Sequence, residues 1–522
     1  MKKVNILKII GLSLVIFSAN AQDYSADAFR FSQLINPAGT ARMKALGGEH
    51  SAIGADVSNI SGNPAGLGLY TRSEFSVSAG LNSLNTNTNY IDTQTQLTKG
   101  NFGLNNIALV FGGNSGNNGK VNSYRSGWKS GNFGISYNRN SNLFNNFSFG
   151  GLNNRSSLAD SYVEQVNRNN NNTGAFLDSQ DQFNPDTRVA QSAEAMYYQM
   201  YLIEPAANGG VPYKRFDFNN PTSTRQEGTF QSEGKTSQWT FGYGANYNDK
   251  LYIGVSGGIA NLNYDFMNTQ TDEFVGGRYL NDFTATQLLT VQGKGVNLST
   301  GLIFRPNNLV RIGATIHSPT WYSITESYDQ NISVNVNQSN TAGIPKDLRS
   351  ASVAPYDFDY ELRSPLRGSV GMAVFIGKKG FISADAEYVG YNKMKLTATT
   401  LSPSDNTAFT NDNSRYINQD YKNVVNLKVG AEMRAGNVNL RGGIAYLADP
   451  YKVKYDNIDR ARLAFSGGLG YKSNSFYLDL TGSYSAYKSA FTPYSLNNPA
   501  DYASAKIDTK NTNLSFTFGT YF

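Results

Sequence analysis

Residue types that carry out hydrolytic, redox or metal chemistry are scarce in this sequence. Cysteine is absent, and histidine occurs twice, as His50 and His317. Thiolate catalysis, disulfides and cysteine-based metal sites are therefore excluded, and a Ser-His-Asp arrangement has almost no candidates. Gly254-Val255-Ser256-Gly257-Gly258 matches the G-x-S-x-G pattern, but that motif acts at a strand-to-helix turn and this match lies within an alternating strand. We predict neither enzyme activity nor a cofactor or metal site, while calcium binding by loop carboxylates stays open.

The elements that dominate the chain are short segments in which apolar residues alternate with polar or small ones, as in 75–81 and 514–522. This pattern predicts strands with one face against an apolar medium and the other against water. We count fourteen candidate strands, an even number that suits a single-chain bacterial barrel. They lie near 73–82, 104–113, 131–140, 237–248, 250–265, 285–304, 309–327, 361–376, 380–396, 420–434, 438–449, 461–472, 475–488 and 511–522.

The connections between these strands alternate between short and long from the fourth strand onward. The short ones are 248–249, 305–308, 377–379, 435–437 and 473–474, and the long ones are 266–284, 328–360, 397–419, 450–460 and 489–510. Outer-membrane barrels have short periplasmic turns and long outer loops. The alternation therefore predicts a barrel in the cell outer membrane with both termini in the periplasm.

Composition supports a membrane barrel. The 522-residue chain contains 33 Tyr, 30 Phe and 51 Gly, and only 16% of its residues are charged. Such a composition has a low mean hydropathy. An all-β transmembrane barrel is expected to have one, because its lipid-facing residues alternate with polar lumen residues. The net charge of +6 is small for the length, so we expect outer-membrane lipid as a partner and no nucleic acid.

The two ends of the chain carry processing and assembly signals. Lys2 and Lys3 precede a short apolar run, and Ala19-Asn20-Ala21 is an A-x-A site, so 1–21 is predicted to be a signal peptide. At the other end, Phe522 closes an alternating strand. It resembles the terminal aromatic by which the barrel assembly machinery recognises its substrates, so we expect that machinery as a partner during biogenesis.

The longest insertion, 141–236, is predicted to be extracellular and to contain two helices. In the first, Ser157 and Asp160 form a capping box. In the second, Asp186 is the predicted cap of a helix with one apolar stripe. That stripe needs a partner, which is either the barrel rim or a lipophilic ligand that it captures. Its members are Val189, Ala193, Met196, Met200 and Ile203.

Residues 22–70 precede the first strand and are predicted to be either a flexible leader or a folded plug. They contain Gly39-Thr40-Ala41-Arg42 followed by Gly47-Gly48, then Ala52-Ile53-Gly54-Ala55-Asp56, then Asn63-Pro64-Ala65-Gly66. This order resembles the N-terminal region of the FadL/TodX family of outer-membrane transporters. Three later stretches, 301–319, 364–385 and 430–443, are similar to that family as well. A second Asn-Pro-Ala-Gly at 36–39 and the Asn-rich insertion depart from the family pattern.

The resemblance implies a 14-stranded antiparallel barrel, 71–522, with 22–70 as a hatch in its lumen. It also implies passive, substrate-gated uptake of hydrophobic small molecules such as long-chain fatty acids or aromatic hydrocarbons, with a sideways exit at a kinked strand. We assign the hatch and gate to Asn63, Pro64, Ala65 and Gly66, since Pro64 restricts and Gly66 frees the backbone of a tight turn. The alternative is a FadL-like barrel that docks a protein secretion machine.

Overall fold

The alternating segments form one closed barrel in the computed structural model. The structure describes residues 24–33, 39–113, 127–169, 171–207, 209–216, 223–339, 344–453 and 456–522, so the predicted signal peptide lies outside the described residues. Each strand pairs antiparallel with the next, and the last strand pairs with the first, Glu74 opposite Tyr521. The fourteen-stranded antiparallel barrel predicted from the sequence is confirmed.

Four of the fourteen strands are interrupted and consist of two consecutive segments. The strands are β1 (Glu74–Tyr90), β2 (Thr93–Phe111), β3 (Trp128–Asn142 and Asn145–Asn153), β4 (Thr224–Tyr247), β5 (Leu251–Phe274), β6 (Leu280–Phe304), β7 (Val310–His317 and Trp321–Val336), β8 (Tyr356–Arg363 and Arg367–Phe375), β9 (Gly380–Val389 and Lys395–Ala398), β10 (Val424–Ala435), β11 (Val438–Leu447), β12 (Arg462–Lys472), β13 (Phe476–Phe491) and β14 (Ala505–Tyr521).

The barrel is apolar outside and polar inside, the reverse of a soluble protein. On β10, Leu427 and Val429 are about half exposed, whereas Asn426 between Val425 and Leu427 is buried. On β14, Phe516 is exposed while Ser515 and Thr517 face the interior. Only a hydrocarbon environment accommodates a continuous belt of this kind. The fold is therefore that of a transmembrane barrel.

The strands extend further outward than the sequence pattern predicts. β1 and β2 continue to a tight turn at Ile91-Asp92, and β5 and β6 leave a connection of only 275–279 where 266–284 was expected to be a loop. Similarly, the predicted insertion 141–236 narrows to 154–223 because β3 and β4 pair up to Asn153 and Thr224. Outside the membrane both faces of a strand meet water, so the alternation that identifies strands disappears there.

In the described residues, six helices and several short elements complete the fold. The helices are α1 (Tyr24–Ser32), α2 (Ala41–Ala45), α3 (Leu158–Val166), α4 (Gly174–Leu177), α5 (Ala193–Gln199) and α6 (Pro403–Asp420), the 3₁₀ helices are Val57–Ile60, Pro64–Leu69 and Tyr391–Lys393, and the short strands are Phe183–Asn184, Val189–Ala190, Ile203–Ala207, Gly210–Arg215 and Ser350–Val353. Within the described ranges, none of the helices combines the length and apolarity needed to cross a bilayer.

The N-terminal region has two parts, and both lie inside the barrel. Residues 39–70, for which we keep the name hatch, comprise α2 and two of the 3₁₀ helices and are buried almost throughout. α1 packs above the hatch against inward-facing aromatic residues of the wall and against α6. The described residues of this region pack inside the barrel, and the assignment of 22–70 as a plug stays a prediction.

The insertion folds into a cap with its own apolar core, which packs on the outward extensions of β5, β6 and β7. The predicted capping box of α3 is present, with Ser157 and Asp160 in their expected roles. The second helix prediction was wrong in extent. α5 begins after Ser192, whose side chain caps it, and Asp186 lies instead in a turn stabilised by the Asn184 side chain.

Candidate functional site

The Asn63-Pro64-Ala65-Gly66 segment seats the hatch on the barrel wall. Asn63 Oδ1 accepts the Ala65 N–H at 3.1 Å and caps the 3₁₀ helix, while its Nδ2 donates to Ser51 O at 2.6 Å and to the wall carbonyl of Leu302 at 3.3 Å. The predicted tight turn is therefore the first turn of a 3₁₀ helix. Pro64 occupies its first position, where a missing N–H costs nothing.

Glycines of the wall allow the hatch backbone to approach this closely. A Cβ added at Gly254 or Gly301 would overlap Pro64 or Asn63, and one at Gly443 would overlap the backbone of Leu46. The G-x-S-x-G match of the sequence therefore includes a wall contact of the hatch at Gly254, on β5. Sequence reasoning missed this role because nothing in the motif shows what faces it.

Buried ion pairs hold the hatch to the opposite wall. Arg42 Nε of α2 donates to Glu432 Oε2 on β10 at 2.9 Å, and Arg42 lies 3.5 Å from Asp56 within the hatch. Glu432 also accepts from Arg441 at 2.9 Å and from Arg434 at 2.8 Å. One carboxylate thus joins a hatch cation to two wall cations, which satisfies charges that would otherwise be costly to bury.

The two histidines do not form a catalytic arrangement. His50, in the hatch, has Nδ1 2.8 Å from Asp385 and 3.1 Å from Ser383 Oγ, and its Nε2 is 2.9 Å from Leu46 O. A catalytic triad needs the serine and the carboxylate on opposite ring nitrogens, whereas here both meet the same one. His317 lies on β7 beside Ser299. The His50–Asp385 contact, with the Ser51 N–H also donating to Asp385 at 2.7 Å, is a second hatch-to-wall attachment.

Above the hatch is an apolar chamber lined by the inner faces of β5 to β10 and by α6, and α1 occupies it. Phe29 stacks on Tyr421 with ring centroids 4.6 Å apart and meets Tyr391 edge-on. Phe31 meets Tyr264 edge-on at 5.5 Å. Both phenylalanines are more than nine-tenths buried. The chamber is therefore an apolar space of the lumen that the chain itself fills.

The wall has a window between β2 and β3. The ladder between these strands ends at Asn106 opposite Asn138, although β1 pairs with β2 and β3 with β4 well beyond that level. Further outward, the second segment of β3 leans back over the first hairpin, with Thr86 Oγ1 donating to Asn146 O at 2.9 Å. The window is therefore closed below and above, and its volume is about 610 Å³.

Backbone irregularities produce this window. The register of β3 against β4 shifts between Arg139 and Ser141, and β3 then breaks until Asn145. Gly234 of β4 supports the break with a φ of +146°, and a Cβ there would overlap the backbone of β5. Bulges bend a strand in this way. The kinked strand that the family resemblance implies is therefore present as β3.

The lining of the window is mainly aromatic and aliphatic, with charges at its edge. The apolar lining comprises Phe102, Leu104, Ile107, Tyr137, Phe144 and Trp239, and the charged lining comprises Lys99, Arg139, Glu233 and Lys235. The window and the chamber are contiguous in sequence at two points. Leu143 of the chamber directly precedes Phe144, and Tyr264 of the chamber follows Asn263 of the window.

The stripe predicted as a ligand-capture site is packed inside the cap. Ala193, Met196, Met200 and Ile203 are at most 2% exposed and belong to the core that the cap shares with the barrel rim. Val189 is half-buried in a short strand that pairs with the short strand Ser350–Val353. The structure therefore brings these residues together, but with the rim as their partner. Capture of a ligand by this stripe stays a prediction.

These features define a transmembrane barrel with a plugged lumen and an apolar window in its wall. The crystal structure of a Pseudomonas aeruginosa FadL homologue has this fold, with a TM-score of 0.53, 12% identity, and 93% of this chain and 99% of that chain covered. TodX, the toluene transporter of Pseudomonas putida, gives a TM-score of 0.51 at 11% identity, with 94% and 99% covered. No protein-family model and no curated protein sequence matches the chain. The FadL/TodX resemblance is thus confirmed at the level of the fold.

Proposed function

We propose that this protein is an outer-membrane channel through which hydrophobic small molecules pass by diffusion. The observation that carries the proposal is the apolar window between β2 and β3, which opens from the plugged lumen towards the lipid-facing side of the barrel. A molecule that leaves by this route never has to cross the hatch. The toluene transporter TodX has the same fold, and this supports a hydrophobic cargo.

The route runs from the cap through the chamber to the window, and we infer that substrate binding opens it. A hydrophobic molecule competes with Phe29 and Phe31 for the chamber, because both interact with it only through apolar contacts. Leu143 and Tyr264 of the chamber are each next in sequence to a residue of the window, and we propose that the molecule passes through the wall there. Long-chain fatty acids and aromatic hydrocarbons both have the apolar surface that this lining accepts. No nucleotide or second energy source enters the scheme.

The orientation follows from the length of the connections. The turns after β4, β6, β8, β10 and β12 are short, whereas the cap and α6 lie at the other end of the barrel. We propose that the cap is extracellular and that both termini are periplasmic. Phe522 then lies at the periplasmic rim, where its N–H donates to Ser73 O at 3.1 Å, and we propose that the assembly machinery recognises it there.

A reversible crosslink across the window tests the proposal. Asn142 Nδ2 donates to Asn101 Oδ1 at 3.3 Å across the opening, and the chain has no native cysteine. Asn101→Cys with Asn142→Cys, bridged by a short bis-thiosulfonate, is expected to reduce uptake of a radiolabelled hydrophobic probe to the level of cells without the protein. Reduction of the bridge is expected to restore uptake.

The matched control places the same bridge where the wall is continuous. Thr269 and Thr286 face each other on the outward extensions of β5 and β6, so Thr269→Cys with Thr286→Cys is expected to leave uptake unchanged. Full uptake through the bridged window would contradict the lateral route. Stoichiometric recovery of the protein in a larger complex, combined with uptake that never depends on its presence, would favour the alternative role as a docking subunit of a secretion machine.

A further inference from the structure

Two cations on the lumen side of the window have no carboxylate partner among the described residues. Lys44 of α2 is 8% exposed, and its Nζ donates to Ser515 Oγ at 3.2 Å. The Arg139 guanidinium passes inward at the kink of β3, lies over Gly103, and donates to Asn105 Oδ1 at 3.0 Å. Among the described residues neither forms an ion pair, although Arg42, in the same helix as Lys44, has two.

Unused hydrogen-bond donors converge between these cations. Asn105 is 6% exposed, and its Nδ2 has no acceptor among the described residues. A Cβ added at Gly80 would lie 2.5 Å from Asn105 Nδ2, 3.1 Å from Leu514 O and 3.2 Å from Ser515 Oγ, so the missing side chain of Gly80 lets Asn105 and Ser515 approach the same point. Lys44 has three N–H donors and Arg139 has five, and most of them are free to bind an acceptor.

The electrostatics of this space favour an anion. Burial, together with repulsion from Arg139, lowers the pKa of Lys44 to about 7. A bound negative charge would relieve that repulsion and return Lys44 to its charged form. Charge-assisted hydrogen bonds to a carboxylate are shorter and stronger than neutral ones, and buried donors left without any acceptor are costly. The arrangement therefore lacks one component, which is a group that is both negative and hydrogen-bond accepting.

We propose that Lys44, Asn105 and Arg139 form an anion-binding subsite at the window, which receives the carboxylate headgroup of the transported molecule while its apolar tail lies along Phe102 and Trp239. This inference rests on the proposed function and narrows its substrate class to amphipathic acids. The subsite lies about seven residues, or roughly 20 Å along β2, from the inner end of that strand. That depth is within the hydrocarbon layer, so a phospholipid phosphate of the bilayer does not reach it.

Equilibrium binding to the purified full-length protein in a nonionic detergent tests the subsite. The probes are dodecanoate, dodecanol and the twelve-carbon lysophosphatidylglycerol, which separate a carboxylate, a neutral headgroup and a lipid phosphate. We expect dodecanoate to bind at least about tenfold more tightly than dodecanol, the factor that one charge-assisted hydrogen bond of about 1.4 kcal/mol supplies. Arg139→Gln and Lys44→Gln are each expected to bring this ratio close to one.

Two further variants keep the result interpretable. Arg139→Lys retains a cation and is expected to retain part of the preference, whereas Lys488→Gln removes an exposed cation of the outer wall and is expected to keep all of it. Heat-modifiable migration reports folding of each variant.

Equal affinity of the unmodified protein for dodecanoate and dodecanol would overturn the subsite. So would an unchanged ratio in folded Arg139→Gln, and so would tighter binding of lysophosphatidylglycerol than of dodecanoate, which would assign the site to a lipid phosphate. These failures are distinguishable from failure of the proposed function. If the window crosslink blocks uptake of dodecanol as well as dodecanoate, the channel stands whatever the ratio is.

Discussion

The ion pair between Arg42 and Glu432 attaches the hatch to the barrel wall. It joins α2 to β10 at 2.9 Å, and the side chains are 16% and 2% exposed. We predict that Arg42→Met, which preserves the apolar stem of the side chain, weakens docking of the hatch without disturbing the barrel. The barrel is expected to be unaffected because every strand keeps its two neighbours.

The size of the effect follows from what remains after the substitution. Removing one partner of a buried ion pair costs about 3–5 kcal/mol. Glu432 keeps Arg441 at 2.9 Å and Arg434 at 2.8 Å, so its charge stays compensated and the lower end of that range applies. A loss of about 3 kcal/mol raises the equilibrium population of the undocked hatch by roughly a hundredfold.

Hydrogen exchange of peptides from 41–69, read by mass spectrometry, measures that population, because exchange of protected amides follows local opening. The matched control is Arg434→Met, which removes a different partner of the same carboxylate. Arg434 is 40% exposed and lies on the wall, so its pair contributes no more than about 1 kcal/mol. Two results would refute the role given to the Arg42–Glu432 pair in holding the hatch. The hatch peptides of Arg42→Met could exchange at the rate of the unmodified protein, or those of Arg42→Met and Arg434→Met could exchange equally fast.

Four more outcomes are expected. Deleting 22–62 should give large, steady ion conductance in planar bilayers where the intact protein stays nearly closed; equally low conductance would mean that outer loops fill the lumen. Burial lowers the pKa of Lys44 from 10.5 to about 7 in the folded protein, so between these two pH values the folded state gives up a proton that the unfolded state keeps. The thermal midpoint of the unmodified protein should therefore rise with pH over this range, whereas that of Lys44→Met should not. Deleting Phe522 should deplete heat-modifiable protein; normal folded levels would make the residue incidental. Met196→Asp with Met200→Asp puts two charges into a packed core. The cap should then become protease-sensitive and uptake should fall while the barrel stays folded. Unchanged uptake would show that the stripe is not part of the route.

The membrane-embedded part of the fold was predictable because the bilayer imposes a simple rule on it. Every lipid-facing position must be apolar and every second residue faces away, so 514–522 could be identified as a strand from its residues alone, and β14 ends at Tyr521. The outward extensions of β1 and β2 follow no such rule. Residues 83–103 are rich in Asn, Thr and Gln, and only pairing with the neighbouring strand makes them strands.

The candidate site was predictable only where its parts are contiguous in sequence. Asn63 and Pro64 predict a rigid local geometry, and the structure places them at the hatch-to-wall contact. The window depends on β2 and β3 separating, which no single segment encodes. Lys44 and Arg139 are almost a hundred residues apart and belong to different elements, so only the closed barrel shows that neither has a carboxylate partner in the part of the chain that the structure describes.

The two parts of the plug, α1 and the hatch, are held by different kinds of contact. A hydrophobic molecule is therefore expected to act on them differently. Phe29 and Phe31 are held by apolar contacts, each worth about 1.5–3 kcal/mol when buried, and a ligand of similar apolar area replaces those contacts one for one. The hatch is held by Arg42 and by the His50–Asp385 contact. An apolar ligand offers nothing to the charges that would be left unpaired there. We therefore expect ligand binding to displace α1 while the hatch stays docked, and we propose that the window then receives the ligand without an aqueous path opening along the barrel axis.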